Sequence, residues 1–245
     1  MLNFIYYPVS AILSLWHDLF AIPFGADTAS SWVLAVVFVV VTLRLLLYVP
    51  YLHQVRYQRA MVRLQPQIQA IQRKHKDRAR QAEELQKLTD ESGLNLLAGC
   101  LPALAQGIVF IGLFHVLRSF NPPGPNYFFD TDGVRSFLTA TFFGHSLNAT
   151  LISGAWIAIP LMIAAAVLTH LTARASIARS NAQTPQAELI NRLTLWVLPV
   201  FAVVGGPFLP ITVLIYWATS YAWTLAQQHV VNRVLDKELL ESVRQ

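Results

Sequence analysis

Residues 32–50 read WVLAVVFVVVTLRLLLYVP, nineteen residues with one charge, Arg44, and one aliphatic hydroxyl, Thr42. About 20 apolar residues at 1.5 Å rise per residue cross the ~30 Å hydrocarbon core of a bilayer. A soluble amphipathic helix keeps a polar face, which this stretch lacks. It therefore predicts a transmembrane helix with an arginine toward its C-terminal end. Such an arginine disfavours insertion by roughly 2.5–3.5 kcal/mol, and each surrounding Val, Leu or Phe offsets roughly 0.3–0.6 kcal/mol.

The rest of the chain fits that environment. Only 13% of its 245 residues are charged, against about 25% in soluble domains. With 55% hydrophobic residues and a mean hydropathy of +0.47, it reads as a polytopic membrane protein. The net charge of +5 would suit a nucleic-acid partner, but the charge is concentrated in one segment that suits a membrane surface better. The single cysteine, Cys100, rules out an intrachain disulfide and a multi-cysteine metal site. In its apolar run it reads as a small packing residue.

Residues 1–31 form the N-terminal segment. Val9, Ile12, Leu13, Trp16, Leu19 and Phe20 share one helical face, with Ser10, Ser14 and His17 opposite. This predicts an amphipathic helix in the membrane interface; a further transmembrane helix is the alternative. No Lys or Arg precedes the apolar part, so a signal peptide is not expected. Residues 51–93 are the long polar segment, with nine Lys/Arg against five Asp/Glu, most of the chain's excess charge. Val55, Met61 or Val62, Ile68, Ile71, Leu85 and Leu88 recur at helical spacing. A turn near 75–78 would fold the segment into a helical hairpin, with a kink or break at Pro66.

The second span is 94–117, followed by a loop at 118–153. The third span is 154–171, with a short polar loop at 172–188. The fourth and fifth spans fall within 189–228, divided by Gly205-Gly206-Pro207. Residues 229–245 are a tail with balanced charge. Lys and Arg concentrate in the hairpin and the 172–188 loop, which the positive-inside rule makes cytoplasmic. The N-terminus and the 118–153 loop are then outside, and the C-terminus is in the cytoplasm.

Two polar stripes run along the spans. Asn95, Gly99, Pro102 and Gln106 share one face of the second, and Thr212, Tyr216, Thr219, Trp223 and Gln227 share one face of the fifth. No Asp or Glu lies inside any of the five spans, so Arg44 has no acidic partner at its depth. Either it faces a water-filled cavity lined by the stripes, or it snorkels to the interface ~9 Å away at Pro50. The stripes themselves serve equally as a lining or as helix–helix packing. The sequence has no HExxH, GxSxG or phosphate loop, and its seven histidines lack ligand spacing. No enzyme, cofactor or metal is expected.

At Arg44, at NLLAGCLPALAQ and at LPITVLIYWATS, the sequence resembles the YidC-type membrane protein insertases, relatives of the mitochondrial Oxa and chloroplast Albino proteins. The second and third motifs resemble the family's Asn-Pro-x-x-Gly-Cys-x-Pro…Gln and Phe-Pro-Ser-Gly…Tyr-Tyr patterns. The resemblance covers nearly the whole chain, and the FFGHSLNAT run is similar to actinobacterial members. Leu96, Ile108 and Thr212 depart from the pattern, in place of two prolines and a glycine that shape helix bends.

The resemblance implies an all-α fold: a five-transmembrane-helix insertase core, an interfacial N-terminal helix and a cytoplasmic hairpin in a bacterial plasma membrane. It implies a hydrophilic groove centred on Arg44, which receives polar parts of an inserting protein, with Gln106, Tyr216 and Trp217 beside it. Asn95, Thr212, Thr219, Trp223 and Gln227 join them through the stripes. Arg56, Arg59, Arg63, Arg73, Lys74 and Lys76 of the hairpin are expected to recruit partners. Those implied are nascent membrane proteins, membrane lipid, the Sec translocon, the ribosome and the signal recognition machinery, with no direct nucleic-acid contact. The rival readings are a small-solute transporter or channel, and an assembly factor without a groove.

Overall fold

The computed structural model describes residues 3–75, 77–93, 96–120, 124, 126–179 and 185–244, with side chains at 96–106, 185–187 and 238–244 outside the description. It is almost entirely helical. The long elements are α1 (Asn3–Phe24), α2 (Ala29–Leu46), α3 (Tyr48–Lys74), α4 (Arg78–Glu91) and α5 (Leu96–Arg118). They continue with α6 (Thr131–Thr139), α7 (Ala158–Ile177), α8 (Pro185–Val204) and α9 (Ile211–Arg244). Among the described residues, α1, α2 and α7 are long and apolar enough to cross a membrane. The described part of α5, Gly107–Arg118, is a shorter apolar helix. The large apolar side chains exposed along α7 and α8, such as Ile163, Val167, Trp196 and Phe201, are what a lipid-facing surface requires.

Helix α1 ends at Gly25, whose φ of +89° suits the left-handed turn that glycine adopts without steric cost. Thr28 caps α2 by accepting the Ser31 N–H at 3.4 Å. Packing turns α1 differently from its periodicity: Ser10 and His17 are buried beside Val9 and Leu13, while Leu15, Leu19 and Ile22 are exposed. Each buried polar group has a partner. Ser10 Oγ accepts the Phe128 N–H at 3.2 Å, and His17 Nε2 lies 3.0 Å from the Ala26 carbonyl. An exterior that meets lipid favours apolar groups outward, so paired polar groups can sit within.

The 118–153 segment, expected only as a loop, is folded. Its Phe120, Phe129 and Phe137 close around Trp32, with ring centroids 6.3, 5.4 and 5.1 Å away. Trp32 is wholly buried and donates Nε1–H to Ser136 Oγ at 3.0 Å. β1 (Thr141–Phe142) and β2 (His145–Ser146) pair antiparallel across Phe143 and Gly144. Both turn residues have positive φ, +50° and +81°, the backbone of a tight primed hairpin turn. The segment is tied to the start of α9: the Thr212 N–H and hydroxyl both donate to the Leu147 carbonyl, at 3.2 and 2.8 Å.

Helices α3 and α4 form a hairpin across 75–77, and Asp77 caps α4 at Ala79 N–H. Pro66 lies inside α3, which continues through it. α9 is 34 residues long, about 51 Å at 1.5 Å rise. That exceeds the ~30 Å hydrocarbon thickness, so one end projects beyond it. On this projecting end Val231 and Leu235 pack with Tyr51 and Val55 of α3. At the other end of the bundle, α7, α8 and α9 meet through Ala158, Met162, Ala165, Ala202, Leu214 and Trp217.

Candidate functional site

Arg44 lies in the last turn of α2, which packs against α9. Its Nη2 donates to Thr224 Oγ1 at 2.6 Å, to Ser220 Oγ at 3.0 Å and to the Ser220 carbonyl at 3.3 Å. Ser220 and Thr224 are one turn apart on α9, so both hydroxyls reach the same nitrogen. Among the described residues, no carboxylate pairs with this guanidinium, and its buried Nε has no hydrogen-bond partner. The arginine is thus oriented by neutral dipoles, with no counter-ion among the described residues.

It borders a cavity of about 1000 Å³ between α3 and α9, with contributions from α5, α7 and α8. Around Arg44 the wall is Tyr51, Phe110, Tyr216, Trp217, Ser220, Tyr221 and Thr224. Farther along, the lining includes Gln54, Gln58 and Gln65 of α3 and Gln228 and Asn232 of α9. Among the described residues, four cations, Arg44, Arg59, Arg63 and Arg179, line it against one carboxylate, Asp236. Asp236 is engaged by Arg59 Nη2 at 2.6 Å. The same nitrogen donates to the carbonyl and Oδ1 of Asn232, both at 3.1 Å. Gln228 Oε1 is buried and, like Arg44 Nε, has no partner among the described residues. Unpartnered buried polar atoms beside an open cavity call for water or a polar occupant.

The site residues expected from sequence divide by location. Arg44, Tyr216 and Trp217 line the cavity together. Thr212 holds the 118–153 segment through Leu147. Thr219, Trp223 and Gln227 occupy an adjoining face of α9, where Trp223 Nε1–H donates to Gln227 Oε1 at 3.1 Å, and they are not among the lining side chains. Asn95 and the Gln106 side chain lie outside the described residues, as does Lys76. Of the hairpin cations, Arg59 and Arg63 line the cavity, whereas Arg56, Arg73 and Lys74 are exposed away from it. Ser220, Thr224 and Gln228, at spacings of four, were legible as a second α9 stripe. They lie about one residue's rotation, 100°, from the predicted stripe, and only the packing of α2 selects between the two. Among the described residues, no cluster of three or more His, Cys, Asp or Glu could hold a metal.

Comparison with known proteins agrees with this architecture. The model of the 60Kd inner membrane protein family matches residues 24–238. The membrane protein insertase YidC of Mycobacterium tuberculosis (strain ATCC 25618 / H37Rv) is 42% identical, over 97% of this chain and 74% of its own length. That of Streptomyces avermitilis is 33% identical, over 95% of this chain and 58% of its own length. A crystal structure of an active YidC insertase with its first transmembrane domain resolved shares the fold, with a TM-score of 0.57 at 24% identity over 89% of this chain. The chain spans 44% of that solved structure's length. With the family model matched along most of its length and a relative at 42% identity, the chain belongs to the 60Kd inner membrane protein family.

Proposed function

We propose that this chain is a membrane protein insertase and chaperone of the bacterial plasma membrane, working through a hydrophilic groove centred on Arg44. The observation that carries the reading is the arginine itself. It stands in an otherwise apolar helix, is held by two hydroxyls, lacks a carboxylate partner among the described residues and borders a cavity of about 1000 Å³. A permanent counter-ion would neutralise it; a transient one can be supplied by a substrate. Water, the guanidinium and the lining amides solvate a polar segment inside the membrane, which lowers the barrier to its crossing. The apolar segment of the same substrate then leaves laterally, past α5 and α9, into lipid. No bond is made or broken, so the reading needs no enzyme activity and no cofactor. The family membership and the names of the relatives support it.

In this reading α2, α5, α7, α8 and α9 are the five spans. The N-terminus and the 118–153 segment are outside, and the hairpin and C-terminus are in the cytoplasm, as the Lys/Arg distribution favours. The exposed hairpin cations Arg56, Arg73 and Lys74 then face anionic lipid, the ribosome, the signal recognition machinery or the Sec translocon. The test is replacement of a resident insertase: cells depleted of it should regain growth and protease-protected insertion of a short single-span protein when this chain is expressed. A membrane-localised chain that restores neither would refute the insertase reading. A cavity closed to water-soluble thiol reagents at cysteines placed at 44, 220 and 224, which line it, would favour an assembly factor without a groove.

A further inference from the structure

The cavity continues well past Arg44. On its α3 wall stand Gln54, Gln58 and Gln65, and Gln228 lines the same cavity from α9. The three α3 glutamines are spaced by four and seven residues, which keeps them on one helical face. From the first to the last is ~16 Å at 1.5 Å rise. Two cations of α3 line this stretch as well: Arg59, engaged by Asn232 and Asp236, and Arg63, which is exposed and so screened by water and salt. The glutamine row itself is uncharged, and a carboxamide can both donate and accept.

A carboxamide carries the same pair of groups as a peptide bond. Such a row does not discriminate among side chains by charge, but it complements a main chain whose N–H and C=O groups are unsatisfied. A helix bonds its own amides internally and offers such a row little. An extended chain leaves them free and rises ~3.3 Å per residue, so ~16 Å of wall holds about five residues. The same-edge amides of an extended chain repeat every two residues, ~6.6 Å, close to the ~6 Å between helix positions four apart. Gln54 and Gln58 have this spacing. Gln228, whose buried Oε1 has no partner among the described residues, gives the α9 part of the lining an acceptor for a main-chain N–H.

We infer that the stretch of cavity between Gln54, Gln58, Gln65 and Gln228 is a second subsite, which holds about five residues of extended polypeptide through their main-chain amides, independent of sequence. The inference rests on the insertase reading and specifies what its groove holds before the chain reaches Arg44. It also separates two tasks: general capture by amides, and charge-dependent handling by the arginine.

The test uses the full chain in lipid nanodiscs with a benzophenone amino acid in place of Met61, which lines the same stretch. Two uncharged peptides of identical side chains are compared, one all-amide and one with esters replacing alternate amides, which removes N–H donors and keeps the shape. Ester replacement should lower crosslinking at least fivefold. The triple substitution Gln54→Leu, Gln58→Leu, Gln65→Leu should lower all-amide crosslinking similarly and abolish the difference between the peptides. Exchanging two serines of the peptide for aspartates should change crosslinking at this position less than twofold. Equal crosslinking of amide and ester peptides by the unsubstituted wall, or crosslinks to lipid alone, would overturn the subsite whatever the triple variant does. A chain that rescues insertase depletion yet ignores the ester keeps the insertase reading and loses this one. A chain that senses the ester but fails to rescue keeps the peptide subsite and loses the insertase.

Discussion

Substituting Arg44 distinguishes attraction of substrate charge from simple hydration of the cavity. At 4 Å and an effective dielectric constant of 20, a guanidinium and a carboxylate attract by about 4 kcal/mol. The entering carboxylate sheds water, and the guanidinium already gives Nη2 to Thr224 and Ser220. After those costs, about 1–2 kcal/mol remains, within the range of charge-assisted hydrogen bonds. That corresponds to roughly 5–30-fold in a rate or occupancy. Arg44→Ala should therefore reduce insertion of a substrate with an acidic translocated tail by about tenfold. A matched neutral tail should lose less than about twofold. Arg44→Lys keeps the charge but loses the planar guanidinium and the donors it has beyond Nη2, and should cost the acidic tail about two- to threefold. Arg44→Glu should be the worst for the acidic tail, through like-charge repulsion, and should partly recover a tail whose acidic residues are changed to lysine. The fold should tolerate these changes, because Thr224 Oγ1 retains its bond to the Ser220 carbonyl at 2.8 Å. The assay is crosslinking and protease protection of acidic, neutral and basic-tailed versions of one short membrane protein, at matched abundance of each variant. Equal loss across the three tails would refute the attraction and assign Arg44 to hydration or packing.

Three other outcomes are expected. Protease added to intact spheroplasts should leave residues 51–93 uncut, and cleavage there would invert the proposed topology. Deleting residues 57–91 behind a short linker should abolish insertion while the remaining helices stay folded, as read by circular dichroism and membrane abundance; full activity would remove any need for the hairpin. Gly112→Leu should destabilise the packing of α1 on α5, because even a Cβ at that position would lie 3.0 Å from Ile5 and 3.1 Å from Val9. Overpacking of this kind costs about 1–3 kcal/mol, and an unchanged melting temperature in detergent would argue that α1 is not held there.

The helical membrane class was legible without coordinates, because hydrocarbon imposes a long-range compositional rule. Residues 32–50 cannot be apolar throughout in a soluble amphipathic helix, and Arg44 stands out for the same reason. The hairpin was legible through its charge and periodicity, since both are local. What periodicity could not supply was the rotation of each helix about its axis. In a soluble protein the apolar face marks the inside, but here lipid accepts apolar groups on the outside. So Ser10 and His17 of α1 are buried while Leu15 and Leu19 are exposed.

The same ambiguity decided the site. Thr212–Tyr216–Thr219–Trp223–Gln227 and Ser220–Thr224–Gln228 are both polar stripes at helical spacing on α9. Only the approach of α2, with Arg44 reaching Ser220 and Thr224, makes the second, joined by Tyr216 of the first, the lining. Arg59 likewise reads as one cation among many, until the 51 Å of α9 projects far enough to set Asn232 and Asp236 beside it. The sequence by itself determined which residues belong in a bilayer and which single charge is out of place there. Tertiary packing decided which polar atoms face one another, because that depends on helices distant in sequence whose relative rotation no local pattern encodes.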